Sequence, residues 1–276
     1  MFKRTIVQSP RVSIVTISFN QAEFLERTIL SVLNQNYPEI EYIVVDPGST
    51  DGSREIIERY RPRISKIVLR PDTGAPEGLN HGFGEATGDI LGFLNSDDVL
   101  YPGAIAAAVK YLEDHDGVDV VSGHAALIAP DDSILRYLYS DHMSLARFVY
   151  GGAIPIQPST FFRSKAFKAT RGFNVENRIA FDTELFLDML LSGAQFSLKD
   201  EIWSGYRIHT HSITNSKENA QKIKKVKDEM FRRVKGRYPT KIDRAISTYY
   251  RYLRKALNPR DTWERIARGA VSGRYS

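Results

Sequence analysis

Between residues 12 and 123, short apolar runs rich in Val and Ile (12–18, 41–46, 64–69, 90–94 and 119–122) alternate with stretches whose apolar residues recur at three- and four-residue spacing. The runs read as buried strands and the spaced stretches as amphipathic helices, which predicts βαβ units around a largely parallel sheet. Phe24, Leu25, Thr28, Ile29, Val32 and Leu33 form the sheet-facing stripe of the first helix, with Asn20 and Glu23 as a capping-box-like start and Pro38 closing it. Further helices are predicted over 53–60, 76–86 and 102–112, with Pro76 and Pro102 in first turns, where proline is tolerated. After 123 the alternation loosens into a hairpin over 125–128 and 134–139, strands at 159–163 and 201–207, and a helix over 182–192 between them. From Lys217 the pattern is helical and basic, broken at Gly236, Pro239 and Pro259.

The 276 residues suffice for one substantial catalytic domain and an appendage. The expected division is 1–216 for the α/β domain and 217–276 for a helical tail. There is no cysteine, which excludes disulfides and thiolate metal sites. Met1-Phe2-Lys3-Arg4-Thr5 lacks the apolar core of a signal peptide and no run is long enough to span a bilayer, so a cytoplasmic protein is expected. The net charge of +5 is unevenly spread: 217–276 carries 18 Lys and Arg against 6 Asp and Glu, and 1–216 carries 20 against 27.

In a doubly wound sheet, ligands sit beyond the carboxyl ends of the strands, where four polar clusters fall. Thr16, Ser18, Phe19 and Asn20 close the first run; Asp46-Pro47-Gly48-Ser49-Thr50-Asp51-Gly52-Ser53 the second; Arg70, Asp72 and Gly74 the third; Asn95-Ser96-Asp97-Asp98 the fourth. Adjacent carboxylates at a strand end suit Mg²⁺ or Mn²⁺ carrying phosphate oxygens, and equally suit a helix cap before Pro102. The short-chained loop after Asp46 can line a nucleotide with backbone N–H groups, or be an ordinary strand-to-helix turn. The carboxylate of Asp46 can accept the imide N–H of uracil or thymine.

Residues 12–20, the block Val44-Val45-Asp46-Pro47-Gly48-Ser49-Thr50-Asp51-Gly52-Ser53, and Ala86-Thr87-Gly88-Asp89 through Asp97-Asp98 resemble, in order and spacing, the family 2 glycosyltransferases of GT-A fold, over about 10–215. The resemblance implies an α/β, Rossmann-like fold with a mixed, mostly parallel sheet flanked by helices, and here a C-terminal helical extension. Residues 10–100 then form the nucleotide-sugar half and 101–216 the acceptor half. Thr16 and Phe19 match nucleotide-holding positions, Asp46 the base-reading carboxylate, and Asp97, with Asp98, the metal end of the D-x-D motif. Asn95 stands where that motif has its first Asp; an amide there can still bond a ribose hydroxyl or a metal-bound water. Ser49, Arg70, Asp72, Asn80 and Ser96 are assigned to donor binding.

Downstream, Ala180-Phe181-Asp182-Thr183-Glu184-Leu185 resembles the acidic motif at a helix start that supplies the catalytic base, Asp182, whose other reading is a helix cap. Tyr206-Arg207-Ile208-His209 resembles a motif near the end of the catalytic domain. Arg207 or His209 is expected to neutralise the leaving diphosphate, and His209 to complete a Mn²⁺ or Mg²⁺ shell. His211 has no match. Gln157 lies in a segment resembling the acceptor border.

The resemblance implies an inverting transferase moving a sugar from a nucleoside diphosphate, UDP- or dTDP-type, to a saccharide or lipid-linked saccharide of a cell-surface polysaccharide. The alternatives are a sugar-nucleotide binder without turnover and a nucleotidyltransferase. The second would need a basic, glycine-rich phosphate loop after the first strand, where Phe19-Asn20-Gln21-Ala22 stands. A processive synthase would add membrane spans and a Gln-x-x-Arg-Trp motif. In the tail, Lys222, Lys224, Lys225, Lys227, Arg232, Arg233 and Lys235 interleave with Ile223, Val226, Met230, Phe231 and Val234. Such a helix suits the anionic inner face of a plasma membrane or packing on the domain. No motif supports nucleic-acid binding, and the sequence leaves the oligomeric state open.

Overall fold

The computed structural model describes residues 9–153, 155–210 and 219–269; the Met1–Thr5 stretch, His211 and the first tail residues from Lys217 lie outside them. In chain order the elements are β1 (Val12–Ile17), α1 (Ala22–Leu33), β2 (Ile40–Val45), α2 (Ser53–Tyr60), β3 (Lys66–Val68), α3 (Ala75–Glu85), β4 (Ile90–Asn95), β5 (Val99–Leu100), α4 (Ala104–Asp114), β6 (Val120–Ile128), β7 (Ile134–Leu138), α5 (Leu145–Val149), β8 (Thr160–Arg163), α6 (Ser164–Lys168), α7 (Phe181–Leu191), β9 (Phe196–Arg207), α8 (Asn219–Lys235), α9 (Lys241–Leu257) and α10 (Pro259–Arg268).

The expected α/β architecture is present as one mixed sheet, ordered β3-β2-β1-β4-β8-β6-β9-β5 with β7 beside β6. The first four strands are mutually parallel. Antiparallel β8 separates them from the parallel pair β6–β9. One face is covered by α1, α2 and α4 through Leu25, Ile29, Ile57, Ile105 and Leu112, the other by α3 and α7 through Leu79, Phe83, Leu185 and Met189. Burial of these faces is the main favourable term in the fold.

Three local expectations are corrected. Asn20 and Glu23 form no capping box: Asn20 takes a left-handed conformation (φ 52°), and α1 starts after Gln21 with no side-chain cap of its own. Pro102 precedes its helix, because Gly103 (φ 85°) turns the chain and α4 begins at Ala104. The segments 119–122 and 125–128 are one strand, β6, continuous through Gly123, where a Cβ would stand 2.5 Å from the Trp203 ring. Only glycine admits the indole there.

The tail folds back onto the α/β body. In α8, Met230 and Phe231 are buried, and Arg233 pairs with Glu184 at 3.0 Å and with Asp188, both on α7. Arg254 of α9 reaches Asp141 at 2.6 Å, Arg260 of α10 reaches Asp200 at 2.9 Å, and Glu264 accepts from the Tyr137 amide of β7 at 3.0 Å. Of the two sequence readings, domain packing therefore describes the apolar side of α8.

Candidate active site

The carboxyl ends of β1, β2 and β4 open into a cleft of about 550 Å³ lined by Phe19, Pro47, Gly48, Asp72, Gly74, Asn95, Ser96, Asp97, Asp98, Phe181, Tyr206, Arg207 and His209 among others. Parallel register causes this convergence: Ile17 lies beside both Val45 and Asn95, so the three strand-terminal loops emerge at one level.

One wall is two loops stitched together by short polar side chains. Ser49 Oγ accepts from the Asn20 amide (2.8 Å), Ser53 Oγ from Gln21 (3.1 Å), Asp51 Oδ2 from Ala22 (2.8 Å), and Asn20 Oδ1 from Thr50 (2.9 Å). The start of α1 is thus capped by the loop before α2, which satisfies amides that its own side chains leave open. Fully buried Asp46 anchors this wall through Oδ1, which accepts from Gly48 N (3.0 Å), Ser49 N (2.8 Å) and Arg54 Nε (3.1 Å). Its Oδ2 is buried with no partner. Phe19, 59 % exposed, stands on the cleft edge.

The floor is the 95–98 turn, and its two carboxylates have different tasks. Asp98 is buried and points inward, its Oδ1 accepting from the Arg207 amide at 2.8 Å. Desolvation, then the neighbouring Asp97 charge, push its carboxyl well above the usual range. Asp97 faces the cleft, its Oδ2 3.0 Å from His209 Nε2. The His209 ring packs on Phe24 of α1 at 4.9 Å, and the Arg207 guanidinium on the same ring at 5.0 Å. Asn95 donates to Gln157 Oε1 at 3.4 Å, and Gln157 donates to the Phe93 carbonyl at 2.6 Å, so Gln157 supports the floor from β8's side.

Other sequence assignments are relocated. Thr16 is fully buried and accepts from the Tyr42 hydroxyl (3.1 Å), so it belongs to the core beneath the cleft. Ser49 holds the wall together, Asn80 ties α3 to Phe173 by bonds of 2.8 and 2.9 Å, and Arg70 is exposed outside the lining. Arg207 lines the cleft, but its polar atoms hold protein groups: the carbonyls of Asp97 (2.7 Å) and Ala129 (2.8 Å), and the Asp132 carboxylate (2.6 Å). It buttresses the floor, and its expected role on a diphosphate is withdrawn. Asp98 spends Oδ1 on the Arg207 amide, and its buried Oδ2 has no partner among the described residues. The cap reading of the acidic pair also fails, since the turn leads into β5.

Asp182 is the second residue of α7, directly after the cleft-lining Phe181. It does not cap the helix: among the described residues its Oδ1 accepts only from the Thr183 amide (2.7 Å) and hydroxyl (3.2 Å). Burial pushes its carboxyl above the ordinary aspartate value. Glu184, facing inward two residues on, binds Arg171, Asn174, Asn177 and Arg233, which fixes the loop leading to Asp182. The sequence reading assigned no role to Phe24, Pro47, Phe181 or Tyr206: Phe24 read as a core position, and the other three stood inside quoted motifs without a task of their own.

Among the described residues no group of three or more His, Asp or Glu is arranged to hold a metal. Asp97 and His209 provide two converging donors, a carboxylate and an imidazole, of the type Mn²⁺ accepts beside phosphate oxygens.

The model of the family described as Glycosyl transferase family 2 matches residues 13–172. An uncharacterized glycosyltransferase of Mycobacterium tuberculosis is 32 % identical over 186 residues, 66 % of this chain and 70 % of that protein. The putative teichuronic acid biosynthesis glycosyltransferase TuaG of Bacillus subtilis is 28 % identical over 134 residues, 48 % of this chain and 53 % of TuaG. Among solved structures, S. aureus TarS in complex with UDP-GlcNAc overlays with a TM-score of 0.64 at 17 % identity, covering 93 % of this chain and 74 % of TarS. The mannosyltransferase PcManGT from Pyrobaculum calidifontis, in complex with GDP-Man and Mn²⁺, gives 0.63 at 20 % identity, covering 96 % and 77 %. These are GT-A folds, and the mixed helix-flanked sheet with its helical C-terminal region is of the same kind. With the family match extending from the start of β1 past α6 and the acidic turn at the strand-end cleft, the chain belongs to glycosyltransferase family 2.

Proposed function

We propose that the chain transfers a sugar, with inversion, from a UDP- or dTDP-type donor to a hydroxyl of a saccharide or lipid-linked saccharide in cell-surface polysaccharide synthesis. The observation that carries this reading is the cleft-facing Asp97–His209 pair, 3.0 Å apart, at the carboxyl ends of parallel strands. The donor lies with its base against Phe19 and the Pro47–Gly48 wall. The unpartnered Asp46 Oδ2 behind that wall supports an N–H-bearing base. The 10–100 half holds the donor and the 101–216 half the acceptor.

A divalent cation, Mn²⁺ or Mg²⁺, would be held by Asp97 and His209 and would neutralise charge on the leaving diphosphate. Asn95, which lines the cleft, bonds a ribose hydroxyl of the donor. Asp182 takes the proton of the acceptor hydroxyl while that oxygen bonds to the anomeric carbon. The bond from this carbon to the diphosphate breaks on the opposite face, and its electron pair leaves with the diphosphate. A carboxylate whose proton affinity is raised by burial is the better base for a weakly acidic hydroxyl.

The test is donor hydrolysis over UDP-, dTDP- and GDP-sugars with and without Mn²⁺, alongside Asp182→Asn. Turnover of a uridine or thymidine donor, stimulated by Mn²⁺ and lost in Asp182→Asn, is expected. Binding of a donor with no turnover at any metal concentration would instead identify a sugar-nucleotide binder.

A further inference from the structure

Sequence periodicity places a membrane-binding candidate on α8, but the apolar side of that helix packs on the body. The unpartnered apolar surface is on the two helices after it. Ile242, Tyr249, Tyr252 and Leu257 of α9 and Trp263 and Ile266 of α10 are all between 57 and 73 % exposed. On α9 two exposed stripes run side by side with identical spacing. Ile242, Ala245, Tyr249, Tyr252 and Ala256 form the apolar stripe, and Lys241, Arg244, Thr248, Arg251 and Lys255, each one residue earlier, form the polar one.

Charge selects the occupant. The carboxylates of these helices are turned inward: Asp243 binds Arg237 and the Thr240 cap, Asp261 binds Arg254 and Arg265, and Glu264 binds Tyr137 N and Arg268. Among the described residues, Lys241, Arg244, Arg251 and Lys255 make no ion pair. The outward side of α9 is therefore apolar in one stripe and cationic, with no carboxylate, in the next; its tyrosine rings and Trp263 of α10 suit a water–hydrocarbon boundary. We propose that α9 and α10 dock on an anionic lipid bilayer. Their aromatic and aliphatic side chains enter the headgroup boundary, and the adjacent cations contact lipid phosphates. No helix among the described residues is long and apolar enough to cross a membrane, so this attachment is along the surface. The inference does not depend on the donor or acceptor chosen above.

The experiment uses the full chain and its two tryptophans, buried Trp203 and exposed Trp263. Vesicles of phosphatidylcholine, alone or mixed with phosphatidylglycerol, are titrated while co-sedimentation, tryptophan emission and light scattering are followed. Co-sedimentation with the anionic vesicles only, weakened by salt, and a blue shift that Trp263→Phe abolishes are expected. Ile242→Ser/Tyr249→Ser/Tyr252→Ser and Arg244→Gln/Arg251→Gln/Lys255→Gln should each weaken partitioning by about tenfold or more. Both should keep the parent's melting temperature and donor hydrolysis, which separates lost docking from lost folding or lost catalysis. The proposal is overturned if the parent ignores anionic vesicles or if both triple variants bind like the parent. It is also overturned if the parent is a dimer that the apolar triple makes monomeric while vesicles go unbound, which would make this face a contact between copies.

Discussion

Asp97 lines the cleft and Asp182 directly follows the cleft-lining Phe181, yet the chain holds the two carboxylates in opposite ways. The turn carrying Asp97 is gripped from two sides. Thr28 of α1 donates to the carbonyls of Ser96 and Asp98 at 2.8 and 2.7 Å, Arg207 of β9 binds the Asp97 carbonyl, and buried Asp98 holds the Arg207 amide. Among the described residues Asp182 bonds only to the adjacent Thr183, and the groups that position it act two residues away through Glu184. On the proposed reading, the charge that grows on the leaving diphosphate develops at a fixed place, so its partners gain from rigidity. A base must meet an acceptor that arrives separately, and a lightly bonded carboxylate keeps lone pairs available for it.

The comparison breaks most sharply at Asp182. Asp182→Asn keeps the shape and removes the proton acceptor, so transfer should fall about 10²–10⁴-fold with donor affinity unchanged. Steady-state transfer assays beside calorimetric donor titration check this. Equal losses in affinity and rate would show the residue to be part of donor binding. Because burial raises the Asp182 pKa, the carboxylate is lost as pH falls through that raised value. The acid limb of kcat/KM should therefore lie above the ordinary aspartate range and disappear in the variant.

Next in size, Arg207→Ala should destabilise the fold by about 2–4 kcal/mol, seen as a lower urea midpoint, because it strips partners from the Asp97 and Ala129 carbonyls and from Asp132. A rate loss at unchanged stability would return Arg207 to the diphosphate role that its contacts argue against. Asp97→Asn gives the converse pattern: donor hydrolysis drops and its Mn²⁺ response flattens, while the urea midpoint stays near the parent's, since the Asp97 side chain supports no other part of the floor.

What was readable in the sequence follows the range of the interactions. Alternating apolar runs and their polar ends are local signals, so the first four parallel strands and the cleft at Asn95–Asp98 were legible, while the short β5, the continuity of β6 and the order of the strands in the sheet were not. The division of labour between Asp97 and Asp98 was not, because it is decided by Arg207, about 110 residues downstream, and by a helix hydroxyl at Thr28 that reads as core periphery. The wall at 46–53 looked like a ligand-binding loop, but most of its polar groups bind the loop at 20–22. Cross-loop bonds to backbone leave no periodicity to read. Amphipathicity in α8 was plain, whereas the identity of its apolar partner required the tertiary contacts of Met230 and Phe231.

The smallest effect tests the rigid side of the comparison most specifically. Thr28→Val keeps the volume of a fully buried side chain but leaves two carbonyls, those of Ser96 and Asp98, without their shared donor. The cost should be about 1–2 kcal/mol in urea unfolding. The functional consequence should fall on the donor side alone, as a raised donor KM at an acid limb unmoved from the parent's, because Asp182 shares no bond with this turn. If Thr28→Val instead shifted the acid limb while sparing donor KM, the two carboxylates would be coupled. The contrast between a fixed floor and an independently held base would then have to be abandoned.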